Sequence, residues 1–209
     1  MVQPQYDQRV ERRLAAIFAA DVAGYSRLMS QDEAGTLRAL AAAREVMDGL
    51  IAEHGGRIAN TAGDSVLAEF PSAVDAVQCA TVVQERLGDA NAAVPENRRL
   101  QFRIGLHLGD VAVRGGDLLG DGVNVAARLE GMAEPGGICL SETVHRLVRK
   151  ALPLAYNDLG EQQVKNMDEP VRAFALRPVV AILEPHPDEA KKPLPLPDKP
   201  SIAVLPFTT

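Results

Sequence analysis

Long apolar runs are missing from this chain. Nothing in it approaches the roughly 18 to 20 apolar residues that a membrane span needs, and the opening stretch MVQPQYDQRVERR has no apolar centre of the kind a signal peptide carries. A cytoplasmic protein with no membrane contact is therefore expected. Cysteine is scarce as well: the chain has 2, Cys79 in an apolar helical stretch and Cys139 in a short strand. That number excludes a disulfide framework and reads as two buried, reduced thiols. Lys and Arg nowhere cluster with interleaved aromatics, and the net charge is −6, so nucleic acid finds no electrostatic footprint. An anionic ligand would have to be held by metal ions or local backbone donors. No internal repeat of fixed period is visible, and the Ala-rich stretches are helical rather than of low complexity.

What is present suits a folded domain. The 209 residues are 46% hydrophobic and 24% charged, enough for one well-buried domain and an appendage. Leu14 to Ala20 is a short apolar run punctuated by Asp21 and Gly24, hence a buried strand carrying an acid at its C-terminal end. Ser30 to Glu33 has the S-x-x-E capping-box form, and Leu37, Leu40, Met47, Leu50 and Ile51 follow at helical spacing until His54-Gly55-Gly56. Two strand-like runs, Arg57 to Asn60 and Ser65 to Phe70, flank Thr61-Ala62-Gly63-Asp64, a hairpin signal. A helix follows from Ser72 to Leu87.

After a polar stretch over 88 to 99, Leu100 to Leu108 and Val111 to Val113 read as strands around Gly109-Asp110, a second hairpin. The glycine-rich turn at Gly115-Gly116-Asp117 leads to a helix from Gly122 to Met132, a strand from Ile138 to Leu140, a short helix from Glu142 to Lys150 and three weak strands between Leu154 and Leu176. Strand, helix, strand, strand, helix, strand is the order of a ferredoxin-like α+β fold, a βαββαβ core with extra C-terminal strands. Residues 1–13 form an N-terminal extension and 14–177 the domain. The Pro-rich segment 178–200 is a linker, and 201–209 looks like the first strand of a further domain.

Two aspartates stand where strands end: Asp21, after an apolar strand, and Asp64, in a hairpin. If they converge at one sheet edge, they suit hard divalent cations such as Mg²⁺, which takes oxygen ligands and is usually held by one or two carboxylates together with substrate phosphates. Ala23, Gly24 and Tyr25 can bring backbone N–H groups to an anion, although the same residues alone read rather as a plain strand-to-helix turn. Asn124 and Arg128 lie four apart and share a helix face. Singly, the first reads as a local cap and the second as a solvated charge. His107, inside a strand-like run, reads as structural.

Together these residues carry a resemblance. Ile17 to Tyr25, Thr61 to Asp64 and Asp117 to Arg128, in that order, resemble the class III adenylate/guanylate cyclase catalytic domain of the bacterial, soluble type, over roughly Leu14 to Leu176. The resemblance implies two Mg²⁺ or Mn²⁺ ions on Asp21 and Asp64, activating the ribose 3′-OH and clamping the phosphates of ATP. It further implies that Asn124 orients the ribose and Arg128 stabilises charge at the α-phosphate. Lys165 falls where the family places a lysine on the terminal phosphates. Asn60 and Asp117 match the purine-reading pair, and sites would be shared across a homodimer.

Here the chain departs from the family, because adenylate cyclases usually carry Lys where Asn60 stands. Asp117 can accept from adenine N6 and the Asn60 amide can donate to N1, whereas guanine reverses that polarity. The expectation is an adenylate cyclase acting in signal transduction. The alternative is a catalytically weak domain that binds nucleotide or dimerises to regulate a following domain. A third reading, another nucleotidyl transfer on the same core, lacks both a GGDEF-like sequence and a basic template channel.

Overall fold

The computed structural model describes residues 11–163 and 170–176. Strand β1 (Glu11–Val22) lies inside a sheet of order β2-β3-β1-β4-β6-β8-β7, with β5 paired to β4 off this path. The strands are β2 (Arg57–Ala62), β3 (Ser65–Phe70), β4 (Phe102–Arg114), β5 (Asp117–Leu119), β6 (Ile138–Ser141), β7 (Tyr156–Gln162) and β8 (Val171–Leu176). The helices are α1 (Tyr25–Gln31), α2 (Glu33–Glu53), α3 (Ala73–Asn91), α4 (Asp121–Met132) and α5 (Glu142–Val148). Strands β4, β1, β3 and β2 make the antiparallel ferredoxin-like core that the element order predicts. Added to it are β6, parallel to β4, and the β8–β7 pair.

The run Ala15 to Ala20 is apolar throughout because both faces of β1 are covered. Ala16, Phe18 and Ala20 pack with Met47, Val77 and Val83 of α2 and α3. Ala15, Ile17 and Ala19 pack on the opposite face with Ala126 of α4. A single strand thus serves two cores, and its alternation sends the next odd residue, Asp21, to the face that α4 covers. Gly105 of β4 lets α4 lie close: a Cβ there would stand 2.2 Å from the Ala126 carbonyl and the Glu130 amide. Cys79 and Cys139 are buried and free, as expected, and burial pushes both thiols up to about 12.

Several local expectations are corrected. Gly109-Asp110 makes no turn: β4 runs unbroken past it, pairing Gly109 with Ala15 and Asp110 with Leu14. A complete ladder with β1 outweighs the turn preference of a Gly-Asp pair. The second hairpin turns instead at Gly115-Gly116, whose φ values of 60° and 94° suit a tight two-residue turn. Strand β2 continues to Ala62, leaving only Gly63-Asp64 as its turn. The long helix is capped by Asp32, which accepts from the Gly35 amide, and Ser30 instead donates to the Ser26 carbonyl within α1. Where three weak strands were expected, two are described. Residues 1–10, the linker and the segment 201–209 lie outside the described residues.

Candidate active site

Asp64 reaches the end of the strand that carries Asp21. The hairpin turn after β2 brings Asp64 to the end of β1, where its Oδ2 accepts a hydrogen bond from the Val22 amide at 3.0 Å. Asp21, one residue earlier, pairs in register with Arg103 of β4. The Arg103 guanidinium grips it with both prongs, Nε to Oδ1 at 2.9 Å and Nη2 to Oδ2 at 2.6 Å. This is the fork geometry in which an arginine recognises a carboxylate. From α4, Glu130 completes the cluster, its Oε1 at 3.2 Å from Arg103. The Glu130 side chain is only 13% exposed, and its Oε1 is buried without a hydrogen bond. Burial first, then the adjoining Asp21, pushes its carboxyl above the usual range.

Arg103 and Glu130 were missed from sequence. A lone charge inside the apolar run Leu100 to Leu108 was the available signal for Arg103. Glu130 had none, since it points to the sheet while Asn124 and Arg128 do not. Burial on α4 falls on Gly122, Val125, Ala126 and Leu129, which leaves Asn124 and Arg128 exposed on the outer face. The cap reading of Asn124 is removed, because Gly120 is the N-cap and Asn124 lies in the fourth helical position.

Asn60 and Asp117 are exposed on β2 and β5. Asn60 follows an irregularity in the β2–β3 register between Ile58 and Asn60. Of the expected anion cradle, the Ala23 amide is committed to the Gln101 carbonyl at 2.9 Å, and Gly24 takes φ 67° at the start of α1. Lys165 lies outside the described residues. His107 is half-buried; its Nδ1 has no partner, and burial pushes its pKa down to about 4. Such a group is a poor base at neutral pH, in keeping with a structural role.

Among the described residues no three His, Cys, Asp or Glu side chains form a ready metal cage. Two carboxylates at one strand end, with the buried, unsatisfied Glu130 oxygen near Asp21, nevertheless fit a hard cation that keeps water and phosphate ligands. The donor set is all oxygen, which disfavours softer transition metals.

Residues 7–177 match the family model described as the adenylate and guanylate cyclase catalytic domain. The chain belongs to that family. This cyclase domain is 46% identical over 201 residues to a Rhizobium meliloti (strain 1021) protein named "Putative adenylate cyclase 3", covering 96% of this chain and 34% of that protein. It is 32% identical to a Streptomyces coelicolor adenylate cyclase, covering 83% of this chain and 45% of that one. The chain thus spans less than half the length of either relative. Among solved structures, an adenylate/guanylate cyclase/hydrolase from Silicibacter pomeroyi superposes with a TM-score of 0.78 at 44% identity, covering 81% of this chain and 99% of that one. The guanylyl cyclase Cya2, at 24% identity and a TM-score of 0.69, covers 80% of this cyclase domain and 93% of its own chain, and shows the shared fold. No helix among the described residues is long and apolar enough to cross a membrane.

Proposed function

We propose that this cyclase domain converts ATP into 3′,5′-cyclic AMP and pyrophosphate at sites shared between two copies of the chain. The observation that carries the reading is the bond from the Val22 amide to Asp64, which ties Asp64 to the end of the strand that bears Asp21 in a member of this family. In the reaction the ribose 3′-oxygen forms a bond to the α-phosphorus, the bond to pyrophosphate breaks, and the hydroxyl proton is released. Two Mg²⁺ or Mn²⁺ ions on Asp21 and Asp64 would lower the pKa of that hydroxyl and offset phosphate charge. Arg103, already a bidentate anion binder, is placed to exchange its carboxylate for phosphate oxygens.

Asn124 orients the ribose, and Arg128 stabilises charge at the α-phosphate. Both are exposed, as are Asn60 and Asp117. Four exposed side chains are free to reach a nucleotide held by a second copy of the chain, which supports a site shared between two protomers. Gly24, Tyr25 and Lys165 are assigned to the phosphates. ATP is preferred because Asp117 accepts from adenine N6 and would face guanine O6 with the wrong polarity.

A second reading keeps nucleotide binding and abandons turnover. It is favoured by the closed Asp21–Arg103 pair and by the neutral amide at Asn60. The test measures cyclic AMP and cyclic GMP formation with Mg²⁺ and with Mn²⁺. Metal-dependent cyclic AMP formation, lost in Asp21→Ala, is expected. Activity surviving that change would sink the mechanism, and tight nucleotide binding with no cyclic product under either metal would establish the second reading.

A further inference from the structure

Away from the paired acids lies a second charged cluster that the proposed reaction leaves unused. Glu69 of β3 is buried, at 6% exposure. Its Oε1 accepts from Arg13 of β1 and, at 2.6 Å, from Nε of Arg57 at the start of β2. Its Oε2 has no partner. A buried carboxylate with one unsatisfied oxygen is expensive to keep, so Glu69 favours both guanidinium groups staying at its other oxygen.

Arg57 does more than neutralise Glu69. Its Nη1 donates to the Gly116 carbonyl at 2.8 Å. Gly116 is the second residue of the tight β4–β5 turn and immediately precedes Asp117, while Arg57 stands three residues before Asn60. The strands β2 and β5 lie near each other, yet no backbone ladder joins them. One planar side chain, anchored on Glu69, therefore ties the strand bearing Asn60 to the turn bearing Asp117.

We propose that Arg57 is a positioning residue for nucleotide choice, setting the spacing between Asn60 and Asp117. The inference rests on the reading of those two positions as purine contacts. Polarity discrimination between adenine and guanine needs both groups at fixed separation, because each hydrogen bond loses strength steeply with distance and angle. Guanidinium geometry is essential to the tie: a lysine in its place has a compact ammonium without the fork and cannot span Glu69 and Gly116 in the same way. Arg57 is 43% exposed, so water competes for the Gly116 carbonyl and the brace narrows the spacing rather than locking it.

The test compares Arg57→Lys with Asp117→Ala in the full chain. Lysine keeps a positive charge beside Glu69 and forfeits the bond to Gly116. In Arg57→Lys the ratio of kcat/KM for ATP over GTP is expected to fall about tenfold, the size of one charge-assisted bond, mostly through a higher KM for ATP with kcat little changed. Amide hydrogen exchange of residues 115–119 in the nucleotide-free protein is expected to quicken about tenfold, with β1 and β6 unchanged. If Asp117→Ala lowers the ratio and Arg57→Lys does not, the brace is refuted and the purine reading stands. An unchanged ratio in Asp117→Ala would overturn the purine reading and the proposal with it. Should Arg57→Lys quicken exchange equally across the whole sheet, its role is merely structural and the proposal fails even in a poorly folding variant.

Discussion

Gly105→Ala adds a single methyl group at the point where α4 touches the sheet. The new carbon would stand 2.2 Å from the Ala126 carbonyl oxygen and from the Glu130 amide nitrogen. Both obstacles are helix backbone, so no rotamer change relieves them. Ordinary contact begins near 3.4 Å, and α4 must therefore back away by a little over an ångström. Overpacking of this kind costs about 1 to 3 kcal/mol, and rigid obstacles on two sides put this site at the upper end. For a domain of this size, ~3 kcal/mol lowers Tm by roughly 6 to 12 °C.

Activity should suffer more than stability does, because α4 carries Asn124 and Arg128 outward and Glu130 toward Asp21. A misplacement of about 1 Å can cost on the order of a hundredfold in rate. The assay pairs thermal unfolding by far-UV circular dichroism with cyclic AMP formation well below Tm. Gly49→Ala in α2, where a Cβ meets nothing within 4 Å, is the control and should stabilise by about 0.5 to 1 kcal/mol. A Gly105→Ala protein with unaltered Tm and full turnover would refute the claim that close helix–sheet approach positions the site.

Two further outcomes are expected. When inactive Asp21→Ala and Arg128→Ala proteins are mixed, random pairing should restore about a quarter of the wild-type activity, since half the dimers are mixed and each regains one of two sites; no recovery despite demonstrated mixed dimers would exclude the shared site. His107, its pKa lowered by burial to about 4 from 6.5, binds its proton more readily when unfolded, so it contributes stability above pH 6.5 that is lost as the pH falls toward 4. The full swing is at most about 3 kcal/mol, and His107→Leu should flatten urea midpoints between pH 6.5 and 5, where an unchanged slope would contradict the assignment.

The sequence alone determined the long strands and helices of the core, because burial demands periodicity, but not the short α1 and β5, which carry too few buried residues to show a period. The unbroken apolar run of β1 announced a strand covered on both faces, and the spacing of Asn124 and Arg128 placed them on one side of α4. It determined the family as well, because the ordered motifs around Asp21, Asp64 and Asn124 are local. Turn identity was less legible. Gly63-Asp64 and Gly109-Asp110 are the same dipeptide, and only the second lies opposite a continuous partner strand that forbids a turn.

Contacts between distant segments were decided by the tertiary structure. Arg103 lies 82 residues from the aspartate it grips, and Arg57 lies 59 from the carbonyl it reaches. Neither distance leaves a periodic trace, since each contact exists only once a register of strands has brought the partners together. Local chemistry thus names the acids and the helix face, whereas the cations and carboxylates that hold them in position depend on how β1, β4 and the two hairpins align.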